Sequence, residues 1–107
     1  MPDQATRPSE HVIVWSYRVE PAREAQFLAA YGDAGAWQQL FRRAEGYRDS
    51  QLVRCEEAGR YLTIDRWDSK ASFTAFLARY AEDYDALDDR CAELTSIEAR
   101  IASGDAV

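Results

Sequence analysis

Residues 60–84 constrain the fold of this chain more than any other stretch. Arg60-Tyr61-Leu62-Thr63-Ile64-Asp65-Arg66-Trp67 is rich in residues that fit a pleated, half-buried surface, and it predicts a strand. Asp68 and Ser69 follow, two polar residues able to cap the free N–H groups at a helix start. Phe73, Phe76, Leu77, Tyr80 and Tyr84 then step at helical spacing and draw one apolar stripe. The pattern predicts a long helix that bends near residues 82–85 and runs on to Cys91. One face of the strand can pack under that stripe, and the rest of the chain must complete the core.

The remaining segments supply the partners. Residues 1–10, with Pro2 and Pro8, read as a mobile tail. Residues 11–19 read as a first strand, with Val12, Val14, Ser16 and Arg18 on one face and Ile13, Trp15, Tyr17 and Val19 on the other. Apolar residues on both faces imply that both are covered. Pro21 opens a helix where its missing N–H costs nothing. Gly32 is the expected stop, a residue free to enter the left-handed conformation. After a break at 33–36, Trp37, Leu40 and Phe41 mark a short helix to about Ala44.

Residues 47–54 read as a weaker strand, diluted by Asp49, Ser50 and Gln51. The polar loop 55–59 then closes a hairpin onto the Tyr61 strand. Residues 94–101 alternate as an edge or one-sided strand, and 103–107 are expected to fray. The order is strand, helix in two pieces, strand, strand, helix, strand. It predicts an α+β, ferredoxin-like split β-α-β domain over residues 11–102, with a four-stranded antiparallel sheet and its helices on one face. The other sheet face is then bare yet partly apolar, which predicts a homodimer meeting through sheet faces.

At 107 residues the chain is one domain, and 47% hydrophobic residues allow a modest core. The net charge of −6 disfavours a nucleic-acid partner. No stretch has the roughly 20 apolar residues of a membrane span, and no signal peptide follows Met1. Cys55 and Cys91 form no C-x-x-C, so two free thiols in the cytoplasm are expected, with a Cys55–Cys91 disulfide as the alternative.

Tyr61-Leu62-Thr63-Ile64-Asp65-Arg66-Trp67-Asp68-Ser69, followed by Ala71, Phe73 and Phe76, resembles the strand-to-helix motif of the antibiotic biosynthesis monooxygenase domain. Trp37-x-x-Leu40-Phe41-x-x-Ala44-x-Gly46-Tyr47 and Val19-Glu20-Pro21-Ala22-Arg23-Glu24 are similar too. The resemblance implies a dimeric α+β barrel that oxidises aromatic polyketides without flavin or metal. In that chemistry the deprotonated substrate itself reduces oxygen. Haem-degrading relatives pair the Trp of this motif with an Asn on the first strand and a His on the following helix. Trp67 matches. This chain, however, has no Asn, and its single histidine, His11, lies at the start of the first strand.

Such chemistry needs an apolar cavity, a proton acceptor and a dry site. Trp15, Tyr17, Trp37, Tyr61 and Phe76 are the expected walls for a small aromatic ligand, and Trp67 and Asp65 the expected catalytic residues. The expected cofactor and metal complement is none. Asp65 shares a strand face with Tyr61, Thr63 and Trp67. A carboxylate among rings would be desolvated and suited to act as a general base. An arginine on a neighbouring strand, Arg48 or Arg18, is the competing partner that would keep it a plain ion pair. Glu82, Asp83, Asp85, Asp88 and Asp89 read as a solvated helix face, and His11 as a surface residue.

Overall fold

The computed structural model describes residues 10–107, so the expected tail lies, but for Glu10, outside the described residues. Four strands form one antiparallel sheet: β1 (His11–Arg18), β2 (Tyr47–Arg54), β3 (Arg60–Trp67) and β4 (Ile97–Asp105), in the order β2-β3-β1-β4. Between β1 and β2 run α1 (Glu24–Tyr31) and α2 (Ala36–Phe41). Between β3 and β4 run α3 (Lys70–Arg79) and α4 (Ala81–Cys91). This is the expected ferredoxin-like split β-α-β arrangement.

Strand periodicity decides what faces the helices. On β3, Tyr61, Thr63, Asp65 and Trp67 are buried and alternate with half-buried Arg60, Leu62, Ile64 and Arg66. Ile13 and Tyr17 of β1 join the first set. Phe27, Tyr31, Trp37, Leu40, Phe41, Phe76 and Leu87 come down on them from the helices. Each large apolar side chain so buried contributes about 1.5–3 kcal/mol. The opposite sheet face carries Val12, Val14, Leu62 and Ile64, with Ile97 60% exposed beside them on β4.

Local chemistry sets the helix ends, and not always as the sequence suggests. Ser69 caps α3 as expected, its side chain accepting from the Ser72 N–H at 3.1 Å. The expected bend falls earlier than residues 82–85: Tyr80, at φ −111° and ψ 27°, divides α3 from α4. Gly32 does end α1, but in an extended conformation at φ −86°. Its glycine is needed for space, since a Cβ would meet the Leu28 carbonyl oxygen at 2.7 Å. Gly46 does hold a left-handed φ of 91°, and a Cβ there would strike Ser72 at 2.6 Å.

Two readings at the sheet ends are corrected. Residues 103–105 do not fray. They continue β4, pairing with β1 from Ser103↔Ile13 to Asp105↔His11, and the Ala106 N–H bonds the Glu10 carbonyl at 2.8 Å. Leu94, expected to start this strand, closes a 3₁₀ turn instead. Backbone pairing with β1 extends the edge strand beyond its apolar pattern. His11, expected at the surface, is 5% exposed. Its ring lies 6.0 Å from Phe73, and Nδ1 is 3.0 Å from Asp105. Cys55 and Cys91 are both free thiols.

Candidate active site

Between the sheet and the helices lies a cleft. Its floor is Trp15 and Tyr17 of β1, Ser50 of β2, Thr63 and Asp65 of β3, and Glu98 of β4. Its roof is Tyr31 of α1, Trp37, Gln38 and Phe41 of α2, and Tyr84 of α4. The empty space is about 440 Å³ with its mouth included. Exposed Glu98 and half-exposed Trp15 put the mouth on the β4 side.

Asp65 is 8% exposed, and the only hydrogen bond its carboxylate accepts among the described residues comes from Ser50 Oγ, at 2.6 Å to Oδ1. Strand register makes this pair: the hairpin sets Arg54 opposite Tyr61, which brings Ser50 opposite Asp65. Neither of the two arginines that the sequence offered pairs with it. Arg48 binds Asp68 at 2.5 Å and Arg18 binds Glu57. Loss of water therefore dominates and pushes the Asp65 carboxyl from 3.8 up to about 6, with nearby Asp49 adding to the rise and the Ser50 bond opposing it.

The phenols around it are held neutral. Tyr17 and Tyr31 are driven well above the usual tyrosine range by burial, and Tyr84 is pushed up to about 12 for the same reason. Tyr17 OH and Thr63 Oγ1 share a hydrogen bond of 2.9 Å, and Tyr47 OH lies 2.6 Å from Ser50 Oγ, behind Asp65. Two N–H donors of cleft-lining residues are buried with no partner among the described residues: Trp37 Nε1 and Gln38 Nε2. Orphaned donors of this kind cost roughly 1–3 kcal/mol unless something in the cleft accepts from them.

The fold has counterparts. The family model for antibiotic biosynthesis monooxygenases matches residues 11–93. The chain belongs to that family. Among solved structures, a putative antibiotic biosynthesis monooxygenase from Bordetella bronchiseptica is similar at 24% identity and a TM-score of 0.71, covering 92% of this chain and 98% of that one. A mutant of SnoaB, a cofactor-independent oxygenase from Streptomyces nogalater, is similar at 20% identity and 0.69, covering 92% of each. A putative member from Caulobacter crescentus is similar at 17% identity and 0.71, over 97% of this chain and 95% of that one. No curated protein sequence matches the chain.

In this member of the antibiotic biosynthesis monooxygenase family, the expected site residues divide. Asp65, Trp15, Tyr17 and Trp37 line the cleft together. Trp67, Tyr61 and Phe76 do not line it. Trp67 is fully buried, with its ring centroid within 5.0–5.7 Å of Phe41, Tyr47, Phe73 and Phe76, and its Nε1 has no partner among the described residues. Tyr61 donates to the Glu24 carboxylate and receives Arg54 Nε at 3.3 Å. Phe76 lies behind the Phe41 ring, 5.4 Å from it, and borders a separate groove beside Arg43, Arg79 and Tyr80. Ser50, Thr63, Gln38, Tyr31, Phe41, Tyr84 and Glu98 are not among the site residues expected from the sequence. Ser50 alone had a readable signal, the register counted back from the hairpin.

Proposed function

We propose that this chain is a cofactor-independent monooxygenase acting on a small aromatic or quinol-type compound, with Asp65 as general base. One observation carries the reading: a buried carboxylate, with no cationic partner among the described residues, stands in the floor of an aromatic cleft. At pH 7–8 a carboxyl near 6 is mostly ionised, yet basic enough to take a proton from an activated phenol or benzylic carbon. Trp37 Nε1 and Gln38 Nε2 then donate to the oxygen on which negative charge develops. The substrate anion passes its electrons to dioxygen and forms a C–O bond. Protonation by Asp65 gives a hydroperoxide, and loss of water leaves the new carbonyl. The balance is one CH₂ and one O₂ consumed, one C=O and one water formed. Trp67, packed between α3 and β2, acts in this scheme by holding Asp65 and Phe41 in place.

A homodimer through the bare sheet face, located in the cytoplasm, belongs to the same proposal. Its support is the half-exposed Val12, Val14, Leu62 and Ile64 next to exposed Ile97, bordered by the Arg66–Asp49 ion pair at 3.3 Å. The burial of Trp67 away from the cleft favours a second reading, a dimeric module that binds a small molecule without turning it over. Oxygen uptake over a panel of hydroxyanthrones and quinols decides between them. Turnover by the native chain, abolished in Asp65→Asn with the fold intact, supports the enzyme. Inactivity across the whole panel supports the module.

A further inference from the structure

We propose that the ligand of this cleft is cationic: a phenol or quinol bearing a protonated amine, its ammonium group held at the mouth by Glu98. The proposal rests on the reading of the cleft as an aromatic-binding site and names the class of compound it takes. Six rings, those of Trp15, Tyr17, Tyr31, Trp37, Phe41 and Tyr84, face one space. The faces of such rings are electron-rich and attract an organic cation. The ionisable acids in the same lining are Asp65 and Glu98, and no Lys, Arg or His lines it among the described residues. Two bases stand nearby without lining it. Exposed Arg42 binds Gln38 Oε1 at 3.3 Å, and exposed Arg100 stands opposite Trp15 in the β1–β4 ladder, on the same sheet face as Glu98.

The two acids occupy different ends. Glu98 stands on the edge strand opposite Tyr17, exposed at the mouth. Asp65 stands on β3 opposite Ile13, buried at the far end with Ser50. A ligand can therefore present an ammonium to the first and an acidic proton to the second. A carboxylate in its place would meet two like charges and no base in the lining, and the net charge of −6 repels it further.

Tyramine, tyrosol and phloretic acid share a phenol and differ in a cationic, neutral or anionic tail. Their binding at pH 7.5 is measured by tryptophan fluorescence and calorimetry, without turnover. Tyramine should bind the native chain about tenfold tighter than tyrosol, and phloretate more weakly than either. Glu98→Gln should bring tyramine to the tyrosol level and leave tyrosol unchanged, and Glu98→Lys should favour phloretate. Equal binding of the three, preference for phloretate, no binding of any, or a preference untouched by both variants overturns the proposal. Oxygen uptake with the hydroxyanthrones and quinols is recorded separately: tyramine bound tightly with no turnover of that panel keeps the charge assignment and removes the oxygenase reading, while turnover of the panel with no preference for tyramine does the reverse.

Discussion

Asp65 and Trp67 stand two residues apart on the same face of β3 and live in different surroundings. Trp67 is sealed among four rings, from α2, β2 and α3. Asp65 has one hydroxyl neighbour and an opening into the cleft. The difference teaches that residue type and strand position do not by themselves make a site. The helices that cross above Trp67 close over it, whereas the sheet beneath Asp65 is roofed at a distance by Gln38, Trp37 and Tyr84. A motif can thus mark the fold at one position while the chemistry is set two residues away.

That contrast can be broken by substitution. The largest expected effect is Trp67→Ala, which should cost about 3–5 kcal/mol of stability by thermal or urea unfolding, because four rings lose their common neighbour. Trp67→Phe should cost less, about 1–3 kcal/mol, and leave turnover per folded molecule unchanged. Lost turnover in a well-folded Trp67→Phe protein would instead make Trp67 a participant in the chemistry.

Asp65→Asn should act in the opposite way. Turnover should fall by about 10²–10⁴-fold, the usual contribution of a general base. Stability should rise at neutral pH. The carboxyl is raised from 3.8 to about 6 in the fold, so the folded state holds its proton more tightly than the unfolded chain. Asp65 therefore takes stability away as pH climbs through that window, by up to about 3 kcal/mol above it. Urea unfolding at pH 4 should show little difference between native and Asp65→Asn chains, and at pH 8 the variant should be the more stable.

A smaller effect is expected for Ser50→Ala. Its hydroxyl is the one group that opposes the rise of the Asp65 carboxyl. Removing it should lift the acid limb of the pH–rate profile by about 1 unit and cost about 1 kcal/mol of stability. An acid limb that stays in place would separate Ser50 from the base.

The contrast also explains what was legible in the sequence. The β3–α3 unit could be read because alternation, a serine cap and an apolar stripe all agree over residues 60–80. The topology followed from element order. The end of β4 was hidden because its pairing is carried by backbone groups and its side chains show no buried face. Asp65 was readable as desolvated, but its partner was not. Arginines at 18 and 48 looked equally available, and the register irregularity between Tyr47 and Asp49, with the Arg48–Asp68 pair, decides against one of them. Gln38, Tyr31 and Tyr84 meet the sheet only after three helices dock, a long-range outcome that no local spacing carries.

The account turns on Asp65 being a desolvated, uncompensated carboxyl. A carbon-13 NMR titration of its side-chain carboxyl in the native chain tests this most directly. A midpoint near 6, moving upward in Ser50→Ala, is the predicted result. A midpoint at or below 4 would mean a solvated or paired carboxylate, and it would contradict Asp65 as the base of this cleft.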